Sequence, residues 1–471
     1  MIKFLFFDYR QLESVRGFER RLELPKKYSI TPLLDSQQAW GTDFLTTYGS
    51  VIKRSNGGLF QMWYTTFSPA KKLVLAYAES RDGIEWTRPA LDIVKYKGRK
   101  TNVVFETEAH GAAVFYDAAE TRPGWAYKMM TGAAPSGRIG VFRSADGMHW
   151  MPAAENPVIG SNPDCPISFC RLKDGRYVAF HRPGFADRRV GRTESWNFKN
   201  FSEAVVVMEP DQNDPPNTQL YGMGSAVYGA YLIGTLWVYH TDPDNTDFYK
   251  MSGYQSPEFV HSRGSYCWHR TAQGEPWIPV SREKERFDSG QVQPVSAPVF
   301  LKDEIRFYYT GTRTRHNAKE VWKGKGPRAG IGYAACKPDR FVALVAGSNG
   351  GLQTRPFWTD TPRFCVNAAI RPGGFIRAQV LELDGSEIPG LTLKEAIPVT
   401  GDSTAHVLAW RGNPDLSRLL KRDIRLLLEA RNTRLYAIYS GTPEEADRYW
   451  DFRIASHVNG QAEREGVVAV P

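Results

Sequence analysis

The apolar residues of this chain recur in short runs broken by Gly, Pro and Asp. No long stretch shows the 3.6-residue period of an amphipathic helix. Three kinds of run return in a fixed order. The first is rich in small residues: Tyr48-Gly49-Ser50-Val51-Ile52, then His110 to Phe115, Asp164 to Phe169, Tyr221 to Val227 and Val292 to Phe300. The second is aromatic and alternating: Phe60 to Tyr64, Tyr127 to Met130, Tyr177 to Phe180, Tyr231 to Tyr239 and Ile305 to Tyr309. The third ends in a turn phrase. Ser80-Arg81-Asp82-Gly83-Ile84-Glu85-Trp86 is echoed by Ser144-Ala145-Asp146-Gly147-Met148-His149-Trp150. Asp-Gly favours a tight turn, because Gly tolerates positive φ and Asp bonds its own backbone. Degenerate copies follow at Thr193 to Phe198 and Lys337 to Phe341, with an expanded one from Gln255 to Trp268.

Five units of this grammar, spaced roughly 50 to 80 residues apart, predict the blades of a β-propeller. The small-residue run suits the innermost strand, where blades crowd the axis. A sandwich or barrel offers similar turns but does not require one three-strand grammar five times. Near residue 345 the grammar changes. Gly347-Ser348-Asn349-Gly350-Gly351 reads as a linker, and Phe375 to Leu383, Ala405 to Trp410 and Ile424 to Glu429 read as strands of one antiparallel unit. Pro443 to Ala446 reads as a short helix in a polar tail. The expected fold class is all-β: a five-bladed β-propeller over residues 1–345, then a C-terminal β-sandwich with a polar tail over 346–471.

Composition adds detail. With 13 Trp and 22 Tyr the chain is rich in flat rings, which suit pleated surfaces and can stack on the apolar face of a sugar. The net charge of +9 favours acidic partners. No Lys/Arg run interleaved with aromatics tracks a nucleic-acid backbone, so no nucleic acid is expected. Five scattered Cys without Cys-x-x-Cys spacing argue against a disulfide framework or zinc site and for a reducing compartment. The apolar stretch at Met1 to Phe7 is too short for a signal-peptide core. The expectation is a cytoplasmic protein, or a secreted one lacking its leader here. No apolar run approaches the roughly 20 residues that span a membrane, so no membrane partner is expected.

The phrases Tyr77 to Trp86 and Phe60 to Tyr64, with the pairing of propeller and sandwich, resemble the group of glycoside hydrolase families 32, 43, 62 and 68, with the mannoside phosphorylases of family 130 as more distant cousins. The resemblance implies a glycosidase, with paired carboxylates in the propeller funnel. It also allows a structural Ca²⁺ on the axis; no other cofactor and no catalytic metal is expected. The Trp-x-Asn-Asp-Pro-Asn phrase of the family 32 invertases is absent. Thr42-Asp43-Phe44 stands before the first inner strand instead.

Candidate residues are therefore chosen by topology. In a propeller the starts of the inner strands converge. Glycoside hydrolysis needs one carboxyl group as acid and another as base or nucleophile. Asp43 is expected as base or nucleophile and Asp164 as acid, by analogy with the related families. Asp288 is a third candidate. Glu108, His110, Asp214 and Tyr221 stand near other strand starts, and Tyr308 among the aromatic strands. Trp237, Tyr239 and Tyr309 are further stacking candidates. His181, Arg182, Arg188, Arg189 and Arg192 form a cationic loop whose guanidinium forks suit carboxylate or phosphate. His240 and His316 can bind sugar hydroxyls or move protons. The expected partner is thus a carbohydrate, anionic if the cationic loop faces it. The expected function is a glycoside hydrolase or transglycosylase. A lyase or phosphorylase acting on an acidic or phosphorylated sugar is the alternative, and a non-catalytic carbohydrate-binding protein a further one.

Overall fold

In the computed structural model the described residues are 3–28, 30–40, 42–54, 58–106, 109–133, 137–160, 167–184, 187–242, 252–316 and 327–446. The chain divides into two compact units: residues 25–335, and residues 1–24 with 336–471.

The first unit is the five-bladed propeller. Blades one to four are four-stranded antiparallel sheets whose inner strands are Thr46–Lys53, Ala113–Tyr116, Ser168–Arg171 and Gln219–Tyr228. Blade five has the inner strand Gln291–Pro294 and then Ile305–Thr312 and Ala329–Cys336. Its outer edge comes from the other end of the unit, where Lys26–Lys27 and Leu34–Asp35 pair with Ala329–Cys336. The ring is thus closed by strand pairing between the beginning and end of the propeller chain.

The turn phrases are the joints between blades. Asp82 Oδ1 accepts from the amides of Ile84 and Glu85 at 2.8 and 2.9 Å, and Asp146 Oδ1 accepts likewise from Met148 and His149. Gly83 sits at φ +75°, and a Cβ there would lie 2.4 Å from the Tyr308 hydroxyl. That closeness lets Tyr308 of blade five donate to Gly83 O at 2.8 Å. Trp63 of blade one likewise donates to Gly147 O of blade two at 2.7 Å. Aromatic side chains of the second strands therefore plug into the turn of the next blade, filling the gaps between sheets.

The second unit is the sandwich. Asp423–Ser440 pairs with Phe364–Leu381 on one side and Val342–Thr354 on the other. Each of these pairings shifts register halfway, between Ala346 and Gly350 and between Ile370 and Phe375, so that one strand serves two stretches of sheet. Here the domain expectation needs correction. Leu12–Leu22 pairs with Val342–Thr354, and Lys3–Leu5 pairs with Asp423–Ser440, so residues 1–24 and 336–345 belong to this unit. Phe4, Leu5, Phe6 and Phe7 are buried in its core. The apolar N-terminus is a core strand, and Gly347 to Gly351 lies within a strand, not in a linker. Among the described residues no helix is long and apolar enough to cross a membrane.

Candidate active site

The inner strands run side by side, so their starts share one end of the propeller, here called the front. Two of them are distorted there. Blade one shifts register between Thr46 and Ser50, and blade four between Leu220 and Gly222. Each irregularity holds a tyrosine followed by glycine: Tyr48-Gly49 and Tyr221-Gly222. A Cβ on Gly49 would lie 2.0 Å from Trp63 O, so only glycine permits this approach. Bulges re-aim side chains, and here the two phenols meet with hydroxyls 3.3 Å apart.

A cluster grows around that contact. Tyr221 Oη lies 3.3 Å from His316 Nε2, and His316 Nδ1 lies 3.2 Å from Tyr239 Oη. Trp237 stacks near both bulged tyrosines, with ring centroids 6.0 Å from Tyr48 and 6.2 Å from Tyr221. His110 of blade two approaches the Tyr48 ring at 5.9 Å. Two guanidiniums cover Tyr221, Arg182 at 4.9 Å and Arg188 at 5.2 Å from its centroid. Gln219 Oε1 accepts from Arg188 Nη1 at 2.5 Å and so aims it. Burial raises the pKa of Tyr239, so its hydroxyl stays protonated at neutral pH. Tyr239, His316, Tyr221 and Tyr48 thus form one hydrogen-bonded chain.

His110, Tyr221, His316, Arg182 and Arg188 come together at the front. Asp43 is exposed just before the blade-one inner strand, with Oδ1 accepting from Ser36 Oγ. Glu108 and Asp164 lie outside the described residues. His181 is buried beneath the Arg182 loop, with Nδ1 3.2 Å from Arg182 O. Burial pushes its pKa down to about 4, so it is neutral at physiological pH.

The others are drawn into the framework. Asp288 is fully buried, bonded by Lys27 Nζ at 2.5 Å and Tyr309 Oη at 2.9 Å, with Arg286 Nε at 3.4 Å. Burial opposes its ionisation, but the Lys27 ammonium prevails and holds the carboxyl below its ordinary range. This carboxylate thus ties blade five to the strand Lys26–Lys27 and, being buried, is apart from the front cluster. Asp214 accepts both oxygens' worth of bonding from Arg270 Nη1 at 2.6 Å, and Arg270 also grips Glu258. Arg192 is buried, donating to Ser265 Oγ at 2.9 Å and Glu194 Oε2 at 2.5 Å. Arg189 is paired with Asp187 and Glu209. Tyr308 serves the blade joint, and Tyr309 holds Asp288. His240 bonds Ser256 Oγ at 3.0 Å and stacks on Tyr254 at 4.6 Å. The cationic loop therefore splits: two arginines face the site and two brace the fold.

Deeper on the axis, small residues meet. Ser50 Oγ lies 2.6 Å from Ser296 Oγ, and Ser168 Oγ 3.0 Å from Ser225 Oγ. These hydroxyls pair two by two, joining blade one to blade five and blade three to blade four. Hydroxyls already bonded to one another suit Ca²⁺ poorly, since that ion prefers carboxylate and carbonyl oxygens. Among the described residues no group of three or more His, Cys, Asp or Glu could hold a metal ion.

No family model and no curated protein matches the chain. Among solved structures, it is similar to an alpha-L-arabinofuranosidase from Podospora anserina in complex with cellotriose, at 15% identity and a TM-score of 0.43, covering 66% of this chain and 99% of that one. It is also similar to a GH32 beta-fructofuranosidase from Bombyx mori, at 10% identity and a TM-score of 0.38, covering 88% and 94%. An N-acetylgalactosamine deacetylase from F. plautii in complex with blood group B trisaccharide gives 12% identity and a TM-score of 0.43, covering 69% and 97%. The propeller assignment rests on strand pairing, and these likenesses decide neither substrate nor reaction.

Proposed function

We propose that the protein is a glycosidase that binds an oligo- or polysaccharide at the front of the propeller. The carrying observation is the convergence of Tyr48, Tyr221, His316, His110, Arg182 and Arg188 at one mouth. The rings of Tyr48, Tyr221 and Trp237 are buried beneath this cluster, while the partly exposed His110, His316, Arg182 and Arg188 offer imidazole and guanidinium groups for the hydroxyls of a polyol. Asp43, exposed on the loop entering blade one, is the base or nucleophile, and Asp164, four residues before the blade-three inner strand, is the acid. The reaction is displacement at the anomeric carbon, with proton donation to the leaving oxygen.

The test is turnover by the Asp43→Asn and Asp164→Asn variants. Each should lose at least about a thousandfold in kcat, in keeping with removal of a principal acid or nucleophile, while the melting temperature holds. Full activity in either variant contradicts that residue's role.

One observation favours a second reading. Two guanidiniums over a phenol bonded to histidine would suit β-elimination from a uronate, where cations neutralise the carboxylate and a nearby group takes the adjacent proton. A lyase product is unsaturated and absorbs in the ultraviolet, whereas a hydrolysis product does not. A phosphorylase would instead require phosphate for turnover.

A further inference from the structure

The opposite end of the axis holds a cavity. It has a volume of about 400 Å³, within the range of small-molecule sites. Ser50, Ser225 and Ser296 line it, and its walls come from the ends of the first four inner strands and from Ser296 to Phe300, just beyond the fifth. Val51, Val114, Phe169, Ala226 and Val299 make those walls largely apolar. The lining residues include two cations, Lys53 and Arg171, and no carboxylate.

The two cations differ. Arg171 Nη1 is already held by Asp117 at 3.1 Å. Lys53 is half-buried, with Nζ resting 4.2 Å from the centroid of the Phe60 ring. Among the described residues no carboxylate pairs with it. A half-buried lysine among the lining residues of a largely apolar cavity, with no carboxylate beside it, favours an anion as its partner. Phe300 stands on the rim, 43% exposed, stacked on Tyr228 at 5.6 Å. Its open face suits another ring.

The lining serines argue against a sugar. Ser50 Oγ is engaged by Ser296 and by the amide of Val114 at 2.8 Å, and Ser225 Oγ by Ser168. Few polar groups remain to meet a polyol. An apolar body with one negative charge fits better. We propose that this rear cavity is a binding site for a small aromatic carboxylate, its ring between the apolar walls and Phe300 and its carboxylate on Lys53. The site is separate from the front mouth and independent of the glycosidase reading.

The probe is 2-naphthoate, followed by its fluorescence, with 2-naphthalenemethanol as the uncharged isostere. Saturable one-to-one binding of the carboxylate is expected, at least tenfold tighter than the alcohol. Lys53→Met should remove that preference, weakening naphthoate about tenfold while leaving the alcohol unchanged. Ala297→Leu, which fills the cavity from a half-buried lining position, should weaken both. Arg188→Met, at the front, should change neither. Melting temperatures confirm that each variant is folded. Absence of saturable binding, equal affinity for acid and alcohol, or loss of binding in Arg188→Met with none in Lys53→Met would overturn the proposal.

Discussion

Tyr221 touches more of the front cluster than any other side chain described there. Its hydroxyl bridges Tyr48 and His316, and its ring carries Arg182 and Arg188. Tyr221→Phe keeps the ring and removes the bridge, and should lower kcat/KM about tenfold, the worth of one hydrogen bond. Arg188→Met should discriminate between substrates. For an acidic oligosaccharide KM should rise about tenfold or more, because a charge-assisted contact is lost, whereas for a neutral one it should hardly move. Equal effects on both would place Arg188 in the framework with Arg192. His181 makes a different prediction. Burial holds its pKa near 4, against an ordinary 6.5. Between those values the unfolded chain binds a proton that the native state refuses, so stability falls as pH drops through that window. At pH 5 the loss is about 2 kcal/mol. Denaturant titrations at pH 7 and 5 should show it, and His181→Gln should flatten the slope. At this scale the sequence was partly readable. Position along the strand picked out His110, Tyr221 and His316. It did not reveal Tyr48, although the Tyr-Gly pair is shared by both bulged strands. Nor could it separate Arg182 and Arg188 from Arg192, because a few residues' difference along a hairpin decides whether a guanidinium meets the mouth or the Glu194 carboxylate.

Among the elements, the blade-five closure is the most exposed to a single change. Lys27 and Asp288 join a strand from the start of the propeller to the last blade. Lys27→Met removes the nearer of the two cations on a buried carboxylate and leaves only Arg286 at 3.4 Å, which should cost up to about 3–5 kcal/mol. The melting temperature should fall sharply. Asp288→Asn should also destabilise, yet the folded fraction should keep its turnover, because the side chain serves closure. Loss of turnover in a fully folded Asp288→Asn protein would restore it as a catalytic candidate. The turns give a smaller effect. Gly83→Ala forces a Cβ against the Tyr308 hydroxyl at positive φ and should lower stability by about 1–3 kcal/mol. The turn phrases were legible because Asp and Gly there perform local backbone chemistry that does not depend on the rest of the fold. Asp288 misled because a carboxylate at a strand start looks the same in sequence whether it faces solvent or a lysine 261 positions away.

At the scale of the whole molecule, the repeat located the propeller but misplaced its limits. Leu12–Leu22 carries no blade phrase, and its partner is Val342–Thr354. A pairing across more than 300 residues leaves no local mark. Residues 25–335 should therefore fold alone as a cooperative unit. Residues 1–345 should not behave as well, because Leu12–Leu22 would lose most of its partner strand and present a free edge prone to association. Light scattering and thermal melts of the two fragments check this. A monodisperse 1–345 fragment with an aggregating 25–335 fragment would reverse the boundary.

As proposed, the front mouth cleaves a glycosidic bond by adding water. The most direct test is mass spectrometry of the products from acidic and neutral oligosaccharides incubated with the protein in heavy-oxygen water. Fragments carrying one heavy oxygen at the newly formed anomeric end are expected from the wild type and should be lost in Asp43→Asn. Fragments that lack the label and carry an unsaturated ring, or no fragments from a broad panel that the protein nevertheless binds, would contradict that reading.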